Sequence, residues 1–146
     1  MRSGLANYQK NQVAGMSQKD LILLLHNGAL KFLGQAKEEL AKENTEVFAD
    51  RIERTHRIVQ HLYTTLDFEA GGDIAEKLGS LYSFIISQLY IVNSTRSVDI
   101  IDDLTEVISN LKEGWQYLGS EIPADIGTAA ARKNDITMEK ALSVQV

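Results

Sequence analysis

The chain carries one proline, Pro123, and 122 residues precede it. Proline costs about 3 kcal/mol inside a helix, so that stretch is free to form long ones. Four segments within it have apolar residues at helical spacing and a residue suited to start a helix. The first starts at Ser17, with Asp20 completing a short version of a capping box. Its stripe is Leu21, Leu25, Gly28, Phe32, Ala36 and Leu40, ending near Asn44. The second is capped by Thr45 and carries Phe48, Ile52, Thr55, Val59, Leu62 and Leu66, in the alternating steps of a bundle seam. Gly71-Gly72 breaks the chain, and Asp73 caps the third segment, with Ile74, Leu78, Leu81, Ile85, Leu89 and Val92 as its stripe. Asn93 to Arg96 connect it to the fourth, which Ser97 caps. There Ile101, Leu104, Ile108, Leu111, Trp115 and Leu118 repeat the spacing, and Gly119 and Pro123 end it.

Short connections make consecutive helices antiparallel neighbours. The pattern predicts an all-α protein, an antiparallel four-helix bundle over residues 17–122. Residues 1–16 form an N-terminal capping segment, and residues 123–146 a tail or a short fifth helix. A chain of 146 residues is one domain by default and long enough for a core without staples.

Composition closes several routes to function. There are no cysteines, which excludes disulfides and thiolate sites and agrees with a reducing, cytoplasmic setting. The N-terminus has no apolar core of a secretory signal, and the longest apolar run, Leu21 to Leu25, is far too short to span a membrane. A net charge of −5 argues against nucleic acid as a partner of the whole surface. Arg51, Arg54 and Arg57 share one side of a helix with Glu53 among them, and read as a solvated face.

Catalytic and metal chemistry finds no constellation. His56 and His61 are about 140° apart on a helix and do not make the paired ligands of a helical zinc site. Glu53 and His56 match Glu-x-x-His once, where a di-metal bundle site needs two such helices. Asp102 and Asp103 suit the positive end of a helix dipole rather than an acid/base couple. Gly71-Gly72 lacks the preceding strand of a phosphate loop. The expectation is a binding protein with no catalytic residue, no metal and no cofactor.

The helices have more apolar residues than a bundle seam requires. The first adds Ile22, Leu23, Leu24, Ala29 and Leu33, the third Tyr82, Phe84, Ile86, Tyr90 and Ile91, and the fourth Ile100 and Val107. Exposed apolar area often marks a partner site. A thick core or a homodimer face accounts for the same residues, and periodicity does not separate these readings.

Three fragments in order resemble the flagellar secretion chaperone FliS family. The first is Tyr8-Gln9-Lys10-Asn11-Gln12-Val13, then Ser17, then the run from Leu21 through His26-Asn27-Gly28-Ala29 to Phe32. The second is Leu66-Asp67-Phe68-Glu69, Gly71-Gly72, Ile74-Ala75, Leu78 and Leu81-Tyr82. The third is Leu89, Asn93, then Ile100 to Leu111, closing on Glu113-Gly114-Trp115. Gln18 stands where the family usually has Pro, His26 where Tyr is common, Asn27 where Asp is common, and Val92 where Ala is common.

The resemblance implies a cytoplasmic export chaperone. Such a chaperone binds the C-terminal segment of flagellin, prevents premature polymerisation and delivers the client to the flagellar type III export gate. The residues expected at flagellin are Leu24, Tyr82, Ile86 and Val107, which lie off the main stripes, together with Tyr8 and Val13. Tyr8 is also expected to touch the export gate, and a homodimer is an expected client-free state. The alternative is a homodimeric adaptor or structural bundle using the same apolar surface.

Overall fold

The computed structural model describes residues 16–117. Within them the chain forms α1 (Gln18–Ala41), α2 (Thr45–Thr64), α3 (Phe68–Thr95) and α4 (Val98–Tyr117), with no strand among the described residues. The connections are two or three residues long, so each helix reverses onto the one before. α1 packs on α2 and α4, and α3 on the same two, so the helices follow one another around the bundle. The Lys37 ammonium lies 2.7 Å from the Asp102 carboxylate, which joins the C-terminal half of α1 to the N-terminal part of α4 and fixes that pair as antiparallel.

The helix starts follow local chemistry. The Asp20 amide donates to the Ser17 hydroxyl at 3.1 Å, and the Ile100 amide to Ser97 at 3.3 Å, as the sequence predicts. At α2 the cap position is Asn44, one residue before the Thr45 expected, with no side-chain capping bond. At α3 the cap is Asp67 rather than Asp73; its carboxylate accepts from the Glu69 and Ala70 amides at 3.1 and 3.0 Å. The break expected at Gly71-Gly72 is a kink inside α3, where Gly72 has φ 55° and ψ −133°, a backbone state that glycine adopts without a Cβ clash. Asn93 to Thr95, expected as connection, are the last turn of α3.

The core stripes of α2, α3 and α4 lie where their periodicity puts them. Phe48, Ile52, Thr55, Val59 and Leu62 are buried on α2, and Ile74, Leu78, Leu81, Ile85, Leu89 and Val92 on α3. Ile101, Leu104, Ile108, Leu111 and Trp115 are buried on α4. Thr55 is tolerated there because its hydroxyl donates to the Arg51 carbonyl at 2.9 Å.

α1 is different. Its buried face is Ile22, His26, Ala29, Leu33 and Ala36, one residue on from the predicted stripe for all but Ala36. Leu21, Leu25, Gly28, Phe32 and Leu40 are half-buried at its flanks. The shift is a rotation of about 100°. The apolar run from Leu21 to Leu25 leaves periodicity little to choose between, and the correct register places a histidine in the core.

Candidate functional site

That histidine anchors a buried polar chain across three helices. His26 Nδ1 lies 2.8 Å from the Ile22 carbonyl, and His26 Nε2 lies 2.9 Å from the Tyr82 hydroxyl. Trp115 Nε1–H donates to the same hydroxyl at 3.1 Å. The donors assign every proton. A carbonyl only accepts, so Nδ1 carries the hydrogen; Nε2 then accepts from Tyr82, whose oxygen accepts from Trp115. All three side chains are within 2% of complete burial. Burial pushes the His26 pKa down to about 4, against the opposing effect of the Ile22 hydrogen bond and with a further push from the Lys112 charge. Burial also raises the Tyr82 pKa, which the Trp115 hydrogen bond partly offsets. His26 is therefore neutral near pH 7, and this network is structural.

The accessible apolar surface lies elsewhere. Leu24 on α1 is 45% exposed, and Phe84 and Ile91 on α3 are 40% and 42% exposed. Tyr90, beside Ile91, is 65% exposed. Ser80, Ser87 and Ser94 lie in the same outward row of α3 as Phe84 and Ile91, and all three are exposed. An outward row of small and apolar residues suits a partner helix or extended segment laid along α3.

A cleft of about 490 Å³ opens between α2 and α3 next to that row. Ile52 and Leu89 contribute its buried apolar wall, and Tyr90 and His56 its aromatic one, with ring centroids 4.9 Å apart. Asp50 and Glu53 line it, but both are already paired. Arg54 Nε donates to Asp50 at 2.8 Å, Arg51 also contacts Asp50, and Arg57 donates to Glu53 at 2.9 Å. The Arg54 hydrogen bond is the main reason the Asp50 carboxyl titrates below its ordinary range. The arginine row is thus neutralised by carboxylates of its own helix, as expected of a solvated face. His56 Nε2 is buried without a hydrogen-bond partner among the described residues. No group of three or more His, Asp or Glu side chains that could hold a metal occurs among the described residues. The cleft can take an apolar side chain flanked by polar groups.

Of the six residues predicted at the client, the structure leaves Leu24 exposed and Ile86 half-buried. Tyr82 and Val107 are core residues, 1% and 4% exposed, which corrects their expected place off the seams. Tyr8 and Val13 lie outside the described residues, as do Leu118, the N-terminal capping segment and the tail. Phe84, Tyr90 and Ile91 have the stronger claim to the surface. Part of this was readable by angle. Tyr82 is about 60° around the helix from Ile85 at the seam centre, whereas Phe84 and Ile91 are about 100° to 120° away on the other side. Angle alone does not reveal Val107, which is about 100° from Ile108 and yet buried.

Known proteins share this chain's pattern over most of its length. The family model described as Flagellar protein FliS matches residues 1–121. The Flagellar secretion chaperone FliS of Vibrio cholerae serotype O1 is 30% identical over 125 residues, 83% of this chain and 92% of its own. The protein of the same name in Campylobacter jejuni is 34% identical over 109 residues, 75% of this chain and 85% of its own. That of Salmonella typhimurium is 27% identical over 121 residues, 80% of this chain and 90% of its own.

Proposed function

Because this chain belongs to the flagellar protein FliS family and is similar to secretion chaperones along most of its length, we propose that it is the export chaperone of flagellin. It binds the C-terminal segment of flagellin in the cytoplasm, prevents premature polymerisation and delivers the client to the flagellar type III export apparatus through an export gate protein. The family match carries this reading, and the exposed apolar row of α3 gives it a physical basis. A flagellin terminus is amphipathic and lacks its filament partners before assembly. Laid on Leu24, Ile86 and the Phe84–Ile91 row, it buries apolar area at ~25 cal/mol per Å2 against the cost of ordering.

Binding alone withdraws flagellin from polymerisation by mass action, so the function needs no catalytic residue, cofactor or metal. Tyr82 and Val107 act from the core, by fixing the positions of α3 and α4. Tyr8 and Val13 belong to a segment that covers the client surface, and Tyr8 also meets the gate. Without client, the same apolar surface pairs two copies of the chain. No helix among the described residues is long and apolar enough to cross a membrane, which is compatible with action in the cytoplasm.

Calorimetry of the full chain with the last ~40 residues of the host flagellin, long enough to lie along several helices, tests this. Saturable binding with a negative heat-capacity change is expected. Binding of whole flagellin but not of the fragment moves the contact to another part of the client. Binding of neither overturns the reading.

A further inference from the structure

We propose that residues 136–146 dock in extended form on the uncharged outer flank of α3 along Phe84 and Ile91, so that the C-terminal segment of the chain covers its own apolar row. No charged residue occurs from Leu78 to Thr95, about five turns of helix. Over those turns α3 exposes Ser80, Phe84, Ser87, Ile91 and Ser94. Leu89, Tyr90 and Asn93 line the cleft with α2. Phe84 and Ile91 lie roughly 100° to 120° from Ile85 in the opposite sense, which puts them on the side of α4, the other helix that packs on α3. The outer face of α4 is acidic there, with Asp99, Asp103, Glu106 and Glu113 exposed.

Chain geometry selects the occupant. Trp115 donates to the Tyr82 hydroxyl, so the end of α4 lies level with Tyr82. Phe84 and Ile91 are ~3 and ~14 Å further along α3 at 1.5 Å per residue. Residues 118–135 reach up to ~60 Å when fully extended, more than enough to double back over that distance. The N-terminal segment starts instead from α1, which lies across the bundle from α3. The family match ends at residue 121, so this cover is an addition to the bundle the family shares.

The sequence of the segment fits the row. Ile136, Met138, Leu142, Val144 and Val146 fall on every second position, interrupted only by Lys140. The residues between them are polar or small. An extended chain places alternate residues on one edge, and from 136 to 146 it runs ~33 Å, comparable to the ~26 Å from Leu78 to Thr95. Lys140, on the same edge, meets the acidic outer face of α4. A tethered segment acts at a high effective concentration, so a second copy or any other partner of the row must displace it. The docking is a property of the chain alone, whatever its client.

The test uses the full chain, which has no cysteine, so Ser143→Cys gives a single site for a nitroxide on the polar edge of the segment. At low protein concentration the nitroxide should broaden the amide resonances of Phe84, Ser87 and Ile91 and spare those of Arg54 and Arg57, exposed on α2. Adding Met138→Asp and Leu142→Asp should abolish the broadening with the helical signal unchanged, while adding Thr137→Asp, on the opposite edge, should leave it. Nitroxide-bearing chains mixed with isotope-enriched chains that lack the nitroxide should give none. Broadening in the mixed sample overturns the proposal and assigns the row to the segment of a second copy. Broadening centred on Arg54 and Arg57, or on no helix, also overturns it. So does broadening that survives Met138→Asp with Leu142→Asp, because the tether alone would then account for it, or that is lost with Thr137→Asp.

Discussion

The Tyr82 hydroxyl lies 2.9 Å from His26 Nε2, joining residues 56 positions apart at a site where neither side chain reaches water. With Trp115 as the second partner of the hydroxyl, the contact pins α1, α3 and α4 in one relative register. A core of leucines alone tolerates rotation of a helix that offers an apolar side chain in every direction, as α1 does over Leu21 to Leu25. A buried imidazole with both nitrogens satisfied does not, because any other rotation leaves polar groups unpaired.

His26 makes stability depend on pH. Its folded pKa, about 4, lies below the 6.5 of the unfolded chain, so the unfolded state binds more protons between those values. The stabilisation is complete above pH 6.5 and is lost as pH falls towards 4. Over that window the loss is on the order of 3 kcal/mol, at about 1.4 kcal/mol per unit. Denaturant titrations from pH 7 to pH 4 should show this slope, and His26→Gln should flatten it. An unchanged slope in the variant would assign the acid sensitivity to carboxylates instead.

Removing the shared hydroxyl should cost more than its own volume implies. Tyr82→Phe leaves His26 Nε2 and the Trp115 N–H without partners, and each orphaned buried group costs about 1–3 kcal/mol. Trp115→Phe, which removes only a donor and some ring area, should be combined with Tyr82→Phe. Chemical denaturation of the single and double variants measures the coupling, and strictly additive losses would show that the three groups do not act as a network.

Two glycines in helices should respond with opposite sign. Gly34 has nothing within 4 Å of a built Cβ, so Gly34→Ala should stabilise the chain by about 0.5–1 kcal/mol through helix propensity. Gly72→Ala forces a side chain into the φ 55° joint and should destabilise by roughly 1–3 kcal/mol. Thermal melts of both variants check the pair, and a stabilised Gly72→Ala would show that the kink is dispensable.

Charge on the exposed apolar residues should separate binding from folding. Leu24→Asp, Phe84→Asp and Ile91→Asp should keep the helical circular dichroism signal and weaken binding of the flagellin fragment by tenfold or more, equivalent to at least ~1.4 kcal/mol. Val107→Asp buries a charge in the core and should unfold the bundle, so any loss of binding there reports the fold. Unchanged affinity in all three surface variants would place the client on another face.

Much of this protein was legible without coordinates. Three stripes, two helix caps, the antiparallel bundle and the family followed from residue spacing and from motifs such as Leu66-Asp67-Phe68-Glu69 and Glu113-Gly114-Trp115. These signals are local: a 3.6-residue period and a capping hydroxyl act over a few positions, so the sequence displays them directly. The rotation of α1 was not legible. Leu21 to Leu25 offers an apolar side chain in every direction, and the choice was settled by His26 finding Tyr82 on α3, itself bonded to Trp115 on α4. The same holds for Tyr82 and Val107 as core. Each depends on which distant helix arrives at that point and how closely it packs, and only the tertiary structure decides that.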